Sequence, residues 1–102
     1  MLDVGRIASQ GSITIANSGQ MRTAIQKALH EKPSELFINL SGVSYMDSSA
    51  LATLVEAVRI ANKQGTRLVL AGIQDQPQYL IEVTHFDRLF DIAPAELTHE
   101  NA

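Results

Sequence analysis

Two short apolar runs, Glu35 to Leu40 (ELFINL) and Arg67 to Ala71 (RLVLA), bracket a segment in which Leu51, Leu54, Val55, Val58 and Ala61 recur at helical spacing. Runs this short suit largely buried strands, whereas a stripe at every third and fourth position is one face of an amphipathic helix. Strand, helix and strand in succession imply a right-handed parallel crossover, which makes the chain α/β. Gly65 stands where that helix should stop, and Glu56, Arg59 and Lys63 lie off its apolar stripe.

The flanks extend the pattern. Val4 to Ala8 (VGRIA) and Ser12 to Ala16 (SITIA) are β-prone and separated by Ser9-Gln10-Gly11, which predicts an N-terminal hairpin. Met21, Ile25, Ala28 and Leu29 predict a helix capped by Asn17 or Ser18 and ended before Pro33. Pro77 is placed to be the first residue of a third helix carrying Tyr79, Leu80, Ile81 and Val83, and Leu89 to Ile92 to be a last strand or an apolar tether. The expectation is one domain over residues 1–102, with a core of about 4–92, a frayed tail over 93–102 and a mixed sheet of four or five strands flanked by helices.

Composition narrows the function classes. The absence of Cys rules out a disulfide framework, a thiol nucleophile and a Cys-ligated zinc site, and the cytoplasm is the expected compartment. Net charge is -3, with charges scattered singly, so nucleic acid is not an expected partner. The N-terminus lacks the pattern of a signal peptide, and no apolar run approaches the roughly 20 residues of a membrane span, so membrane insertion is not expected.

Enzymatic chemistry finds little support. His30, His85 and His99 each lack a second His or a carboxylate at metal-ligand spacing. Ser48 and Ser49 sit between Asp47 and Ala50 rather than in the Gly-flanked turn of a hydrolase nucleophile. The six glycines are isolated, so no phosphate-cradling loop is present; Arg59, Lys63 and Arg67 are the only charges near a possible small-molecule groove by sequence order. Pairs such as Asp87 with Asp91, or Glu31 with Glu35, are expected to be solvated surface. A chain that is not an enzyme and needs no cofactor is the expectation.

Asp47-Ser48-Ser49 is the exception, because it falls between a strand and the start of the strongest helix, where unpaired N–H groups and the positive dipole end are exposed. One N-cap oxygen accounts for Asp47 or Ser48, not for all three residues. A hydroxyl at such a place can accept a phosphate that the first-turn amides partly host.

The segment LFINLSGVSYMDSSALATLVEA, with the strand RLVLAG and the later HFDRLFDI, resembles a STAS domain of the bacterial anti-sigma-factor antagonist type. The resemblance spans roughly residues 12–92 and is strongest over 36–72. It implies a non-enzymatic switch, a monomer or weak dimer, whose unphosphorylated form binds an anti-sigma factor that is itself a Ser kinase. A metal-dependent Ser/Thr phosphatase would reverse the modification. By position the resemblance implies Ser48 as phosphoacceptor, Ser49 as the lesser choice, and Asp47, Ser48, Ser49, Ala50, Thr53 and Glu56 as the partner-binding set. The family motif D-S-S/T-G-L-G has glycines where this chain has Ala50 and Ala52, a change that favours helix and alters partner fit. The alternative role is a structural STAS subunit of a transporter complex that docks through the same helix without phosphorylation.

Overall fold

The computed structural model describes residues 4–94; of the frayed tail expected over 93–102, Ala93 instead pairs in a short strand, and residues 95–102, with His99, lie outside the described residues. The order is β1 (Val4–Ile13), α1 (Ser18–His30), β2 (Glu35–Met46), α2 (Ser48–Gln64), β3 (Arg67–Ala71), α3 (Asp75–Val83) and β4 (Asp91–Ala93). The strands lie in the order β1-β2-β3-β4, and every neighbouring pair is parallel.

This corrects two expectations, the N-terminal hairpin and the mixed sheet. Residues 4–13 form one strand whose two halves both run parallel to β2, with irregular register between Ala8 and Gln10 and between Gly11 and Ser12. Ser9-Gln10-Gly11 is therefore a bend in a continuing strand, and Gly11 supplies it at a φ of 80° that a side chain would disfavour. The cause lies in β2, which continues past Leu40 to Met46 instead of entering a loop. Its added backbone groups need partners, and Gly11, Ser12 and Ile13 provide them opposite Val43, Tyr45 and Met46.

The core follows strand alternation. Leu36, Ile38 and Leu40 are fully buried and join Ile25 and Leu29 of α1, Leu54 and Val58 of α2, and Ile81 of α3 in one cluster. Small residues on α2 let it lie close to its neighbours, and Ala57 and Ala61 are buried with the stripe. Gly65 ends α2 in the left-handed region at φ 80°, with the Thr66 amide closing back on the Ala61 carbonyl at 2.9 Å. On the opposite face Arg67 bridges Glu35 at 2.9 Å and Asp91 at 3.0 Å, tying three adjacent strands and keeping Arg67 away from α2.

Pro77 falls inside the first turn of α3 rather than at its first residue, still among positions that need no helical N–H partner. Beyond the end of β3, the Gln76 side chain takes over the role of a neighbouring strand, accepting from the Met46 amide at 2.8 Å and donating to the Met46 carbonyl at 3.0 Å. The last strand, β4, pairs with β3, so of the two readings of Leu89 to Ile92, a strand or an apolar tether, the structure has a strand, set over Asp91–Ala93. Among the described residues no helix is long and apolar enough to cross a membrane.

Candidate functional site

The turn between β2 and α2 is one residue long. Met46 ends the strand fully buried, Asp47 is extended at φ -102° and ψ -175°, and Ser48 begins the helix. Asp47 is the N-cap: its Oδ1 accepts from the Ser49 amide at 2.9 Å, the Ala50 amide at 3.2 Å and the Ser49 hydroxyl at 2.6 Å. Its Oδ2 accepts from the Ile15 amide at 3.0 Å, so the same carboxylate fastens the loop after β1 to the start of α2. The Asp47 amide donates to the Ile13 carbonyl at 3.1 Å, closing that junction from the other side.

These bonds set the carboxylate's acidity. The Ser49 hydroxyl, followed by the Ala50, Ile15 and Ser49 amides, holds the Asp47 pKa below its ordinary value, and partial desolvation opposes them. Asp47 is thus a fixed anion at neutral pH. The Ser49 hydroxyl spends its proton on it and is only partly exposed. Ser48, one residue earlier, is exposed, and its hydroxyl has no hydrogen-bond partner among the described residues.

The other residues assigned to the site divide by helical position. Ala50 has no exposed surface and faces the core. Thr53 is 8% exposed and donates its hydroxyl to the Ser49 carbonyl at 3.1 Å. Glu56 is partly exposed and paired with Arg22 of α1 at 3.1 Å. The structure therefore gathers Asp47, Ser48, Ser49 and Glu56 at or near the surface and turns Ala50 and Thr53 inward. Of the two alanines at motif-glycine positions, Ala50 adds its methyl to the core and Ala52 adds one to the surface.

One part of the site escapes sequence reasoning, and another is foreseen only as a possible groove near Arg59, Lys63 and Arg67, the last of which does not line it. The first is the Ile15 amide, which reaches Asp47 only because β1 continues to Ile13 beside Met46. The second is a groove of about 750 Å³ along the flank of α2, with Ser48 at one end, Lys63 at the other, and Phe86 from the turn after α3 on its wall. The exposed Ala52 four residues after Ser48 was the available signal, since a small residue there opens the flank.

Comparison with known proteins places the chain. The STAS domain family matches residues 3–102, and this chain belongs to that family. It is 23% identical over 82 residues to an anti-sigma-B factor antagonist of Staphylococcus aureus, covering 80% of this chain and 76% of that protein. It is 26% identical over 81 residues to the Bacillus subtilis protein YvdB, which carries a sulfate-transporter name; the match covers 79% of this chain but only 15% of YvdB. The fold matches the crystal structure of a candidate anti-sigma factor antagonist from Thermotoga maritima with a TM-score of 0.82 at 21% identity, over 89% of this chain and 79% of that one.

Proposed function

We propose that this chain is an anti-sigma-factor antagonist that works as a phosphorylation-controlled protein–protein switch in the cytoplasm. Its unphosphorylated form binds an anti-sigma factor with Ser kinase activity and releases that factor's target. The observation that carries this reading is the contrast between the two serines: Ser48 presents an exposed hydroxyl with no hydrogen bond among the described residues, whereas Ser49 is engaged with Asp47 at 2.6 Å. In the step, the Ser48 oxygen attacks the γ-phosphorus of ATP, its proton passes to a kinase base, and ADP leaves. A metal-dependent Ser/Thr phosphatase restores the hydroxyl by hydrolysis.

The mechanism is electrostatic. Phosphate adds about -1.5 to -2 charge beside the Asp47 carboxylate at the edge where the partner seats. The clamp on Asp47 does not involve the Ser48 hydroxyl, so the helix start survives the modification. A binding loss of ~4 kcal/mol weakens the complex about a thousandfold, enough for one phosphate to act as a switch. Incubation with the kinase and ATP, followed by mass mapping, should place a single phosphate on Ser48; an unmodified Ser48 sinks the proposal.

A second reading, a structural subunit of a transporter complex, draws on the match to a segment of YvdB. It requires no modification and predicts that Ser48→Asp and Ser48→Ala assemble alike. The same mass-mapping experiment separates the two.

A further inference from the structure

The groove beside α2 has a polarity of its own. Leu51 and Val55, 4% and 8% exposed, form its floor, and Ile60 and Phe86 line it further along. Arg59 and Lys63, both exposed and one helical turn apart, border one end. Neither has an ion-pair partner among the described residues, while the rim's carboxylate, Glu56, is neutralised by Arg22. An apolar channel thus ends at two uncompensated cations.

We propose that this groove binds a medium-length, single-chain carboxylate amphiphile, with its chain along Leu51, Val55 and Ile60 and its carboxylate at Arg59 and Lys63. Charge complementarity selects an anionic head, because the guanidinium and ammonium meet no carboxylate among the described residues. Size selects a single chain: from Leu51 to Ile60 the helix rises about 14 Å, the reach of a medium-length alkyl chain. The volume of about 750 Å³ lies within the range of small-ligand sites, about 300–1,000 Å³. A partner helix, about 10 Å across, would stand largely outside it. Ser48 lies at the far end from the cations, so this site is independent of whether Ser48 is phosphorylated.

The test is a titration of the full chain, labelled with nitrogen-15, with decanoate at fixed ionic strength and below its micelle concentration. Decanol and decyltrimethylammonium serve as comparators. Saturable shifts at the Leu51, Ala52, Ile60 and Phe86 amides are expected, with decanoate at least tenfold tighter than either comparator. Arg59→Glu with Lys63→Glu should weaken decanoate at least tenfold, and the milder pair Arg59→Gln with Lys63→Gln should weaken it less, with melting curves checking the fold of each. Ala52→Phe should fill the channel and abolish the shifts. Equal binding of decanoate and decanol, unchanged affinity in the charge-reversed pair, or shifts centred on Ile15 or Tyr79 would overturn the proposal. So would a failure of decanoate to bind where an acidic amphipathic peptide does, which would assign the groove to a protein segment.

Discussion

The two helices that follow β1 and β2 start with the same residue type and are held in opposite ways. At the start of α1, Asn17 makes no side-chain cap bond; it turns back instead, accepting from the Thr14 amide at 2.8 Å and donating to the Ser12 carbonyl at 2.9 Å. The serine that follows, Ser18, is buried at 8% exposure. At the start of α2 the Asp47 carboxylate carries all the side-chain capping and the link to the neighbouring loop, and the serine that follows is left exposed. One junction closes a loop and hides its hydroxyl; the other concentrates its bonding on one side chain and leaves a hydroxyl for an outside partner.

The largest test of that contrast is binding. Under the switch reading, Ser48→Asp should weaken the anti-sigma factor complex by up to about a thousandfold, while Ser48→Ala binds like the parent and resists the kinase. Isothermal titration of the three proteins reads this directly. Both variants should melt within about 2 °C of the parent, because the Ser48 hydroxyl has no partner to lose among the described residues. Equal binding by both variants would remove the electrostatic part of the mechanism.

Stability is the next test. Asp47→Ala removes the cap from α2 and leaves the Ile15 amide without its acceptor, and thermal melts should show a drop of roughly 5–10 °C. Asn17→Ala should lower the melting temperature by less than half of that, since it loosens a loop and removes no cap. Equal drops would mean that the two helix starts are held alike.

Most of the architecture was legible because it rests on periodicity. The stripe from Leu51 to Ala61, the brackets at Ile38 and Leu70, and the stop at Gly65 each carry a local signal that the packing reinforces. The direction of β1 was not legible. Ser9-Gln10-Gly11 has the same local chemistry in a hairpin turn and in a strand bend, and the choice depends on β2 reaching Met46, thirty-odd positions away along the chain. The site divided along the same line. Position alone left the cap open between Asp47 and Ser48, and the bonds of Asp47 decide it, whereas the inward turn of Ala50 and Thr53 depends on which face of the first turn meets the core. The groove depends on Phe86, whose approach to α2 no local pattern announces.

The smallest expected effect separates the two adjacent serines most sharply, and it does so through pH. A carboxylate whose folded pKa lies below its unfolded value stabilises the fold above the unfolded pKa, near 4, and loses that contribution as pH falls through the folded value. Asp47 is such a group, with the Ser49 hydroxyl as the leading cause. Ser49→Ala should therefore raise the Asp47 pKa toward the ordinary value, lower the melting temperature at pH 7 by a few degrees, and shrink the difference between melts at pH 7 and pH 3. Ser48→Ala should leave that difference unchanged, because its hydroxyl donates nothing to the carboxylate. Carbon-13 chemical shifts of the Asp47 carboxyl across pH 2–6 measure the pKa itself. A shift on Ser48→Ala equal to that on Ser49→Ala would mean that both hydroxyls serve the cap, and would remove the free hydroxyl on which the switch reading stands.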